Sequence, residues 1–368
     1  MVAVAVTIAV GIGASVGHAQ VVLRGGERVE DPVVRTSAAG VELGGARPRT
    51  LGWDVVREVL GEHEEDAAAY AALSDALWRA RTRAERGDLT LAEPLFERAF
   101  AIAYGSTGPT SVVAAEGLLR CRLARGAHAS ALEPWLESLR LRRAGLRGDT
   151  GATANDRTRR SRVAEDDPWS IDSATGLAPA LPPVWIDAPS LKSFPRLGPV
   201  QADNHEVVAF ETLYRWAALR VMGEDAPFPS ISAEALRSPG VRLVRSMVEA
   251  QHADADLRAR ARESLERDIG RDAGTWVEAW RRVAIGRSLL REDDASLRTR
   301  GMLELLHVPA RFGASQPHLS AVALAEVCAE LHARGEAASY ETLRAELESL
   351  APDHGAIVWL DNSVGGVR

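Results

Sequence analysis

Lysine is almost missing from this 368-residue chain: Lys192 is the only one, so nearly all of the 44 basic residues are arginine. Alanine and glycine are abundant alongside, and GC-rich codon usage accounts for that bias better than selection for bidentate anion binding. Excess positive charge is also missing. A net charge of -7 and a pI near 5.8 exclude a general nucleic-acid binder, which needs a basic surface to displace counterions. Only two cysteines occur, Cys121 and Cys328, far apart and both at predicted helical positions; buried single thiols are expected there in preference to a disulfide. Strand-like alternation is nearly absent, with one short strand expected at Ala356 to Leu360. The apolar run from Val2 to Ile12 is too short and too broken by glycine to span a membrane. The nine histidines show no metal-ligand spacing, and His63-Glu64-Glu65-Asp66 lacks the second histidine of a zinc helix.

What is present is a recurrence. Arg86-Gly87-Asp88 breaks one helix, and Leu89-Thr90-Leu91-Ala92-Glu93-Pro94-Leu95-Phe96 opens the next. Arg125-Gly126 and Ser130-Ala131-Leu132-Glu133-Pro134-Trp135 repeat the turn, the hydroxyl, the glutamate and the proline. The offset is 40 residues by the Glu-Pro pairs and 39 by the glycines, a period that means stacked helical hairpins. Thr90 and Glu93 have capping-box spacing, and Pro94 is expected in or near the first turn.

These residues resemble the tetratricopeptide repeats, in particular the longer kinesin-light-chain-like variety with its G-x-x-x-x-A-E-P-L-Y-x-R-A-L-x-I pattern. Gly87, Ala92, Glu93, Pro94, Leu95, Phe96, Arg98, Ala99, Phe100 and Ile102 stand in those places; Gly126, Ala131 and Trp135 fit in the second copy, where Leu132 and Ser138 depart. The resemblance covers about residues 67–143. It implies an all-α fold, a TPR-like α-solenoid of helical hairpins in which Ala92 and Ala99 allow close approach and Phe96 fills the gap between helices.

The remaining chain divides around that array. Residues 1–19 carry the apolar run and end Gly17-His18-Ala19, a cleavage pattern that makes them a signal peptide of bacterial type, atypical in lacking a basic residue before the run. The protein is therefore expected to be exported, periplasmic or secreted. Residues 20–50, rich in Gly, Arg and Pro, form a mobile lead-in; Trp53, Val56 and Leu60 mark a short helix at the start of the repeats, residues 51–144. Residues 145–204 form a connecting segment with prolines at 168, 179, 182, 183, 189, 195 and 199. Trp169, Trp185, Ile186 and Phe194 are too apolar to stay solvated, so the segment is expected to pack against the helices. A second helical domain spans 205–352, and 353–368 is a C-terminal tail.

Candidate chemistry is sparse, and the sequence identifies no catalytic, cofactor-binding or metal-binding residue. Ser190, Lys192 and Ser193 do not have the spacing of a Ser-Lys hydrolase, Arg86-Gly87-Asp88 is the repeat turn before it is an adhesion tripeptide, and Glu263, Glu266 and Asp268 alternate with arginines as a solvated face does. The repeat instead favours a scaffold that binds a protein or peptide partner; the alternative is an all-helical hydrolase acting on a cell-envelope polymer. Counting eleven residues back from Ala92 and Ala131 reaches Arg81 and Arg120, which the family resemblance places on the concave face of successive first helices. Glu85 follows Arg81 by four residues and Glu116 precedes Arg120 by four, pairings that contribute only about 0.2 to 0.5 kcal/mol and that an acidic or C-terminal peptide could displace.

Overall fold

A computed structural model describes residues 20–146, 169–186, 191 and 204–365. The expected signal segment and its cleavage site lie outside the described residues, as do Ser190, Lys192, Ser193 and Phe194. The described chain is mostly helical but begins with two small antiparallel sheets, so the all-α expectation is corrected. β1 (Gln20–Leu23) lies between β2 (Arg28–Val29) and β6 (Val56–Leu60); β4 (Gly40–Leu43) lies between β3 (Val33–Ser37) and β5 (Arg49–Leu51). The expected mobile lead-in is therefore ordered. Gly26 and Gly45 turn the chain at positive φ; Gly40 does so as well, and a side chain there would collide with the Leu51 carbonyl.

The short helix expected around Trp53, Val56 and Leu60 is instead strand β6. Its pairing with β1 runs Val21 to Val59 and Val22 to Glu58, then skips to Leu23 with Val56. That bulge turns Val56 and Val59 to the same face although they are three residues apart, a spacing that resembles a helical stripe. Ser74 closes the seam between sheet and helix by donating to the Val56 carbonyl at 2.6 Å.

After α1 (Glu64–Ala68), four helices follow with short turns: α2 (Ala71–Glu85), α3 (Leu89–Ala103), α4 (Pro109–Ala124) and α5 (His128–Arg143). Each packs on the next. The two glycine turns are superposable in their bonding. Gly87 N donates to Ala84 and Asp88 N to Arg83; Gly126 N donates to Leu123 and Ala127 N to Arg122, with both glycines at positive φ. Asp88, whose carboxylate accepts from Leu91 N at 3.3 Å, caps α3 where the sequence suggested a Thr90–Glu93 box. Pro94 and Pro134 fall inside α3 and α5, beyond the first turn. Phe96 lies over Gly117 of α4, where any side chain would clash with its ring. It thus fills the space toward the following pair of helices.

The C-terminal helices are α6 (His205–Val221), α7 (Pro239–Glu249), α8 (Ala255–Ile269), α9 (Trp276–Leu289), α10 (Ala295–Phe312), α11 (Pro317–Ala333), α12 (Ala337–Leu350) and α13 (Gly355–Gly365). α13 replaces the strand expected at Ala356 to Leu360; its five expected strand residues bury only Ala356 and Leu360, four apart, against α11. Among the described residues no helix is long and apolar enough to cross a membrane.

Two apolar clusters form the interior. The smaller joins the sheets to α1–α4; the larger joins α4 and α5 to α6–α13. Helix α4 serves both, giving Ala114, Ala115 and Leu118 to the first and Leu119 and Leu123 to the second. The proline-rich segment runs through the larger cluster: Ile171, Leu177, Leu181, Val184, Trp185, Ile186 and Leu191 are all buried. Its carbonyls are met by side chains. Trp135 Nε1 donates to Gly176 at 3.1 Å, Trp280 Nε1 to Pro179 at 3.0 Å, and the Tyr214 hydroxyl to Leu181 at 2.6 Å. An extended chain with few free donors can be buried this way without joining a sheet.

Candidate functional site

The four groove residues taken from the sequence face different partners. Arg81 donates to Glu85 at 3.0 Å, as the helical spacing requires, and also to Asp54 at 2.7 Å. Asp54 lies in the β5–β6 connection with its carboxylate at 0% exposure. Burial works to lower the Arg81 pKa, but Asp54 and then Glu85 outweigh it and hold the guanidinium more firmly charged. Beside Asp54, Trp53 N donates to Thr110 Oγ1 at 3.1 Å, and Thr110 N donates to Ala39 at 3.3 Å. The sheets therefore cover the start of α4 and this face of α2. The carboxylate sought from a ligand is supplied by the chain itself. Glu116 accepts from Arg142 of α5 at 2.7 and 2.9 Å, and Arg120 is half-buried on α4. Asp54 carried no signal in the sequence, because its contact with Arg81 depends on the strand preceding β6.

A different groove is open on the same array. Leu73 and Ala76 of α2 and Leu95, Ala99 and Ile102 of α3 line a recess of 250 Å³. Arg79 and Arg98 stand at its rim; Arg79 holds Asp75 at 2.7 Å, and Arg98 donates to the Pro94 carbonyl at 3.3 Å. Leu91 and Ile102 remain 52% and 53% exposed, and Trp78 is partly exposed under the Arg24 guanidinium, 5.0 Å from its ring. Apolar side chains this exposed, next to uncapped recesses, mark surfaces that another molecule can cover.

Two of the other carboxylates noted in the sequence, Glu266 and Asp268, are committed to arginines. Glu266 accepts from Arg300 at 2.8 Å, and Asp268 lies 3.2 Å from Arg271 and 3.6 Å from Arg281. Both thiols are free and buried, and burial pushes each up to about 11, which suppresses the thiolate needed for reactivity.

A cluster that sequence spacing does not show is formed by His128, His318 and His354, which open α5, α11 and α13. The rings of His128 and His318 stack with centroids 3.7 Å apart, and His318 Nδ1 lies 2.8 Å from His354 Nε2. The surrounding groups assign the protons. Ala356 N donates to His354 Nδ1 at 3.1 Å, so the His354 proton is on Nε2 and goes to His318 Nδ1; His318 Nε2 then donates to the Val184 carbonyl at 3.4 Å. His128 Nδ1 donates to Gly126 at 2.8 Å. The His128 and His318 rings are neutral in this arrangement. Burial first, and neighbouring histidines second, hold His128 down to about 4 and His318 well below the ordinary range. Among the described residues, no three or more His, Cys, Asp or Glu side chains are placed to hold a metal ion.

Neither family models, curated proteins nor solved structures match this chain when compared with it.

Proposed function

We propose that this chain is an exported helical-repeat scaffold, tetratricopeptide-like over about residues 67–143, whose α2–α3 groove binds a peptide or protein segment. The observation that carries the reading is the groove itself: an apolar floor of Leu73, Ala76, Ala99 and Ile102, with the Arg79 and Arg98 guanidinium groups at its edge. An apolar side chain of the partner fits the recess, and an adjacent carboxylate meets the rim arginines. The repeat reading draws on the recurring Glu-Pro motif and on the two glycine turns with their matching backbone bonds. Arg81 belongs to the fold in this reading, since Asp54 already occupies it. Export rests on the apolar run and the Gly17-His18-Ala19 pattern; a cut after Ala19 leaves β1 whole.

The test pairs cell fractionation with capture. The mature chain is recovered from the periplasm or medium, its first residue is read by N-terminal sequencing, and proteins retained by it are compared with those retained by Leu91→Asp and Ile102→Glu together. Both positions are exposed, so the variant keeps its fold. A partner held by the wild type and released by the variant is the expected result. Equal retention by both proteins overturns the groove, and a cytoplasmic chain that still carries residues 2–19 overturns export.

A further inference from the structure

A second site lies in the C-terminal half, where five elements line an open pocket of 440 Å³. That volume is typical of small-molecule pockets, about 300 to 1,000 Å³. One wall is apolar: Ile186 of the proline-rich segment, Val221 of α6 and Leu290 just past α9, with the half-buried Trp359 ring of α13 beside them. The other wall is charged, with Arg220, Arg287 and Arg291 set against Glu326 and Glu330 of α11.

Most of these charges are already matched. Glu326 accepts from Arg287 Nε at 2.7 Å, and Arg287 also donates to the Trp185 carbonyl at 3.3 Å. Glu330 is taken by Arg298 and by Arg334 at 2.6 Å. Two guanidinium groups are left over. Arg220 reaches only the fully exposed Asp225, at 3.4 Å, and lies 5.7 Å from the Trp216 ring centroid; its Nε is buried with no acceptor among the described residues. The Arg291 side chain makes no hydrogen bond or ion pair among the described residues, although it faces this cavity. Although the residue keeps exposed surface, partial desolvation of its guanidinium disfavours the charge most, and repulsion from Arg287 adds to that against the weaker attraction of Glu326. A pocket with one unmatched cation, Arg291, and a second, Arg220, held only by an exposed carboxylate, beside an apolar wall, is complementary to an oxyanion on an apolar body.

We propose that this cavity binds a small organic oxyanion, a carboxylate or phosphate monoester on an apolar body, held by Arg291 and Arg220 with the body against Ile186 and Trp359. The site is independent of the α2–α3 groove and of export. The probes are 3-phenylpropionate, phenyl phosphate and neutral 3-phenylpropionamide, titrated calorimetrically into the full chain, with tryptophan emission followed in parallel. Saturable binding of one or both anions is expected, the preferred one telling carboxylate from phosphate, with the amide at least tenfold weaker. Arg291→Gln, at an exposed position, should weaken anion binding at least tenfold with an unchanged thermal transition, and Trp359→Phe should reduce the emission change. Failure of both anions to saturate, equal binding of the amide, or unchanged anion binding by Arg291→Gln would overturn the proposal.

Discussion

At Asp54 a carboxylate with no solvent exposure meets the Arg81 guanidinium at 2.7 Å. Removing one partner of a fully buried pair costs about 3 to 5 kcal/mol, because the other charge is left uncompensated. Arg81 keeps some solvent and its Glu85 contact, so Asp54→Ala should cost less, about 2 kcal/mol, read as a lower urea midpoint with an unchanged slope. The histidine cluster gives the pH dependence. His128 titrates near 4 in the folded chain and near 6.5 when unfolded. Above 6.5 both states are neutral and its stability contribution is complete; as pH falls, the unfolded chain takes the proton first, so stability is lost from 6.5 down to about 4. At 1.36 kcal/mol per pH unit the loss from His128 reaches roughly 3 kcal/mol, and His318 acts in the same direction. The urea midpoint should fall between pH 7.5 and pH 5, and His128→Gln should make that fall shallower. A midpoint that rises toward pH 5 is incompatible with neutral buried rings.

Among the elements, the proline-rich segment departs most from ordinary secondary structure. Its prolines remove donors, and its carbonyls at Gly176, Pro179 and Leu181 are met by Trp135, Trp280 and Tyr214. Gly240 of α7 comes so close to the Thr175 carbonyl that a side chain there would overlap it. The segment is thus a packed strut between α5, α6, α7 and α9. Tyr214→Phe strands the Leu181 carbonyl and should cost about 1 to 3 kcal/mol, and native-state proteolysis should spare residues 176–186 in the wild type while cutting them sooner in this variant. Fast cutting there in the wild type would show a loose tether. The glycine turns behave differently, since their bonding repeats whatever surrounds them: Gly87 and Gly126 close α2 and α4 with the same two backbone bonds, 39 residues apart.

For the molecule as a whole, α4 is the wall shared by both cores, and the N-terminal sheets complete the smaller one. A chain starting at residue 62 would lose Val21, Val41, Trp53 and Val56 from that core and leave Arg81 without Asp54. It should bind hydrophobic dyes and melt over a broader range than the full chain; an identical melting curve would mean that the sheets are an appendage. Helices α2 to α12, the glycine turns and the burial of Trp185 and Ile186 were legible from residue order, since helical hydrogen bonds and turns close within a few positions and apolar residues must be buried somewhere; α13, expected as a strand, was not. The sheets were not, because strands of two to five residues with a bulge at Val22–Leu23 leave no sustained alternation. Only the tertiary structure could bring Asp54 to Arg81, gather His128, His318 and His354, and set Arg220 beside Arg291. Those contacts join residues 27 to 190 positions apart, and nothing in local periodicity encodes which distant side chains share a cavity.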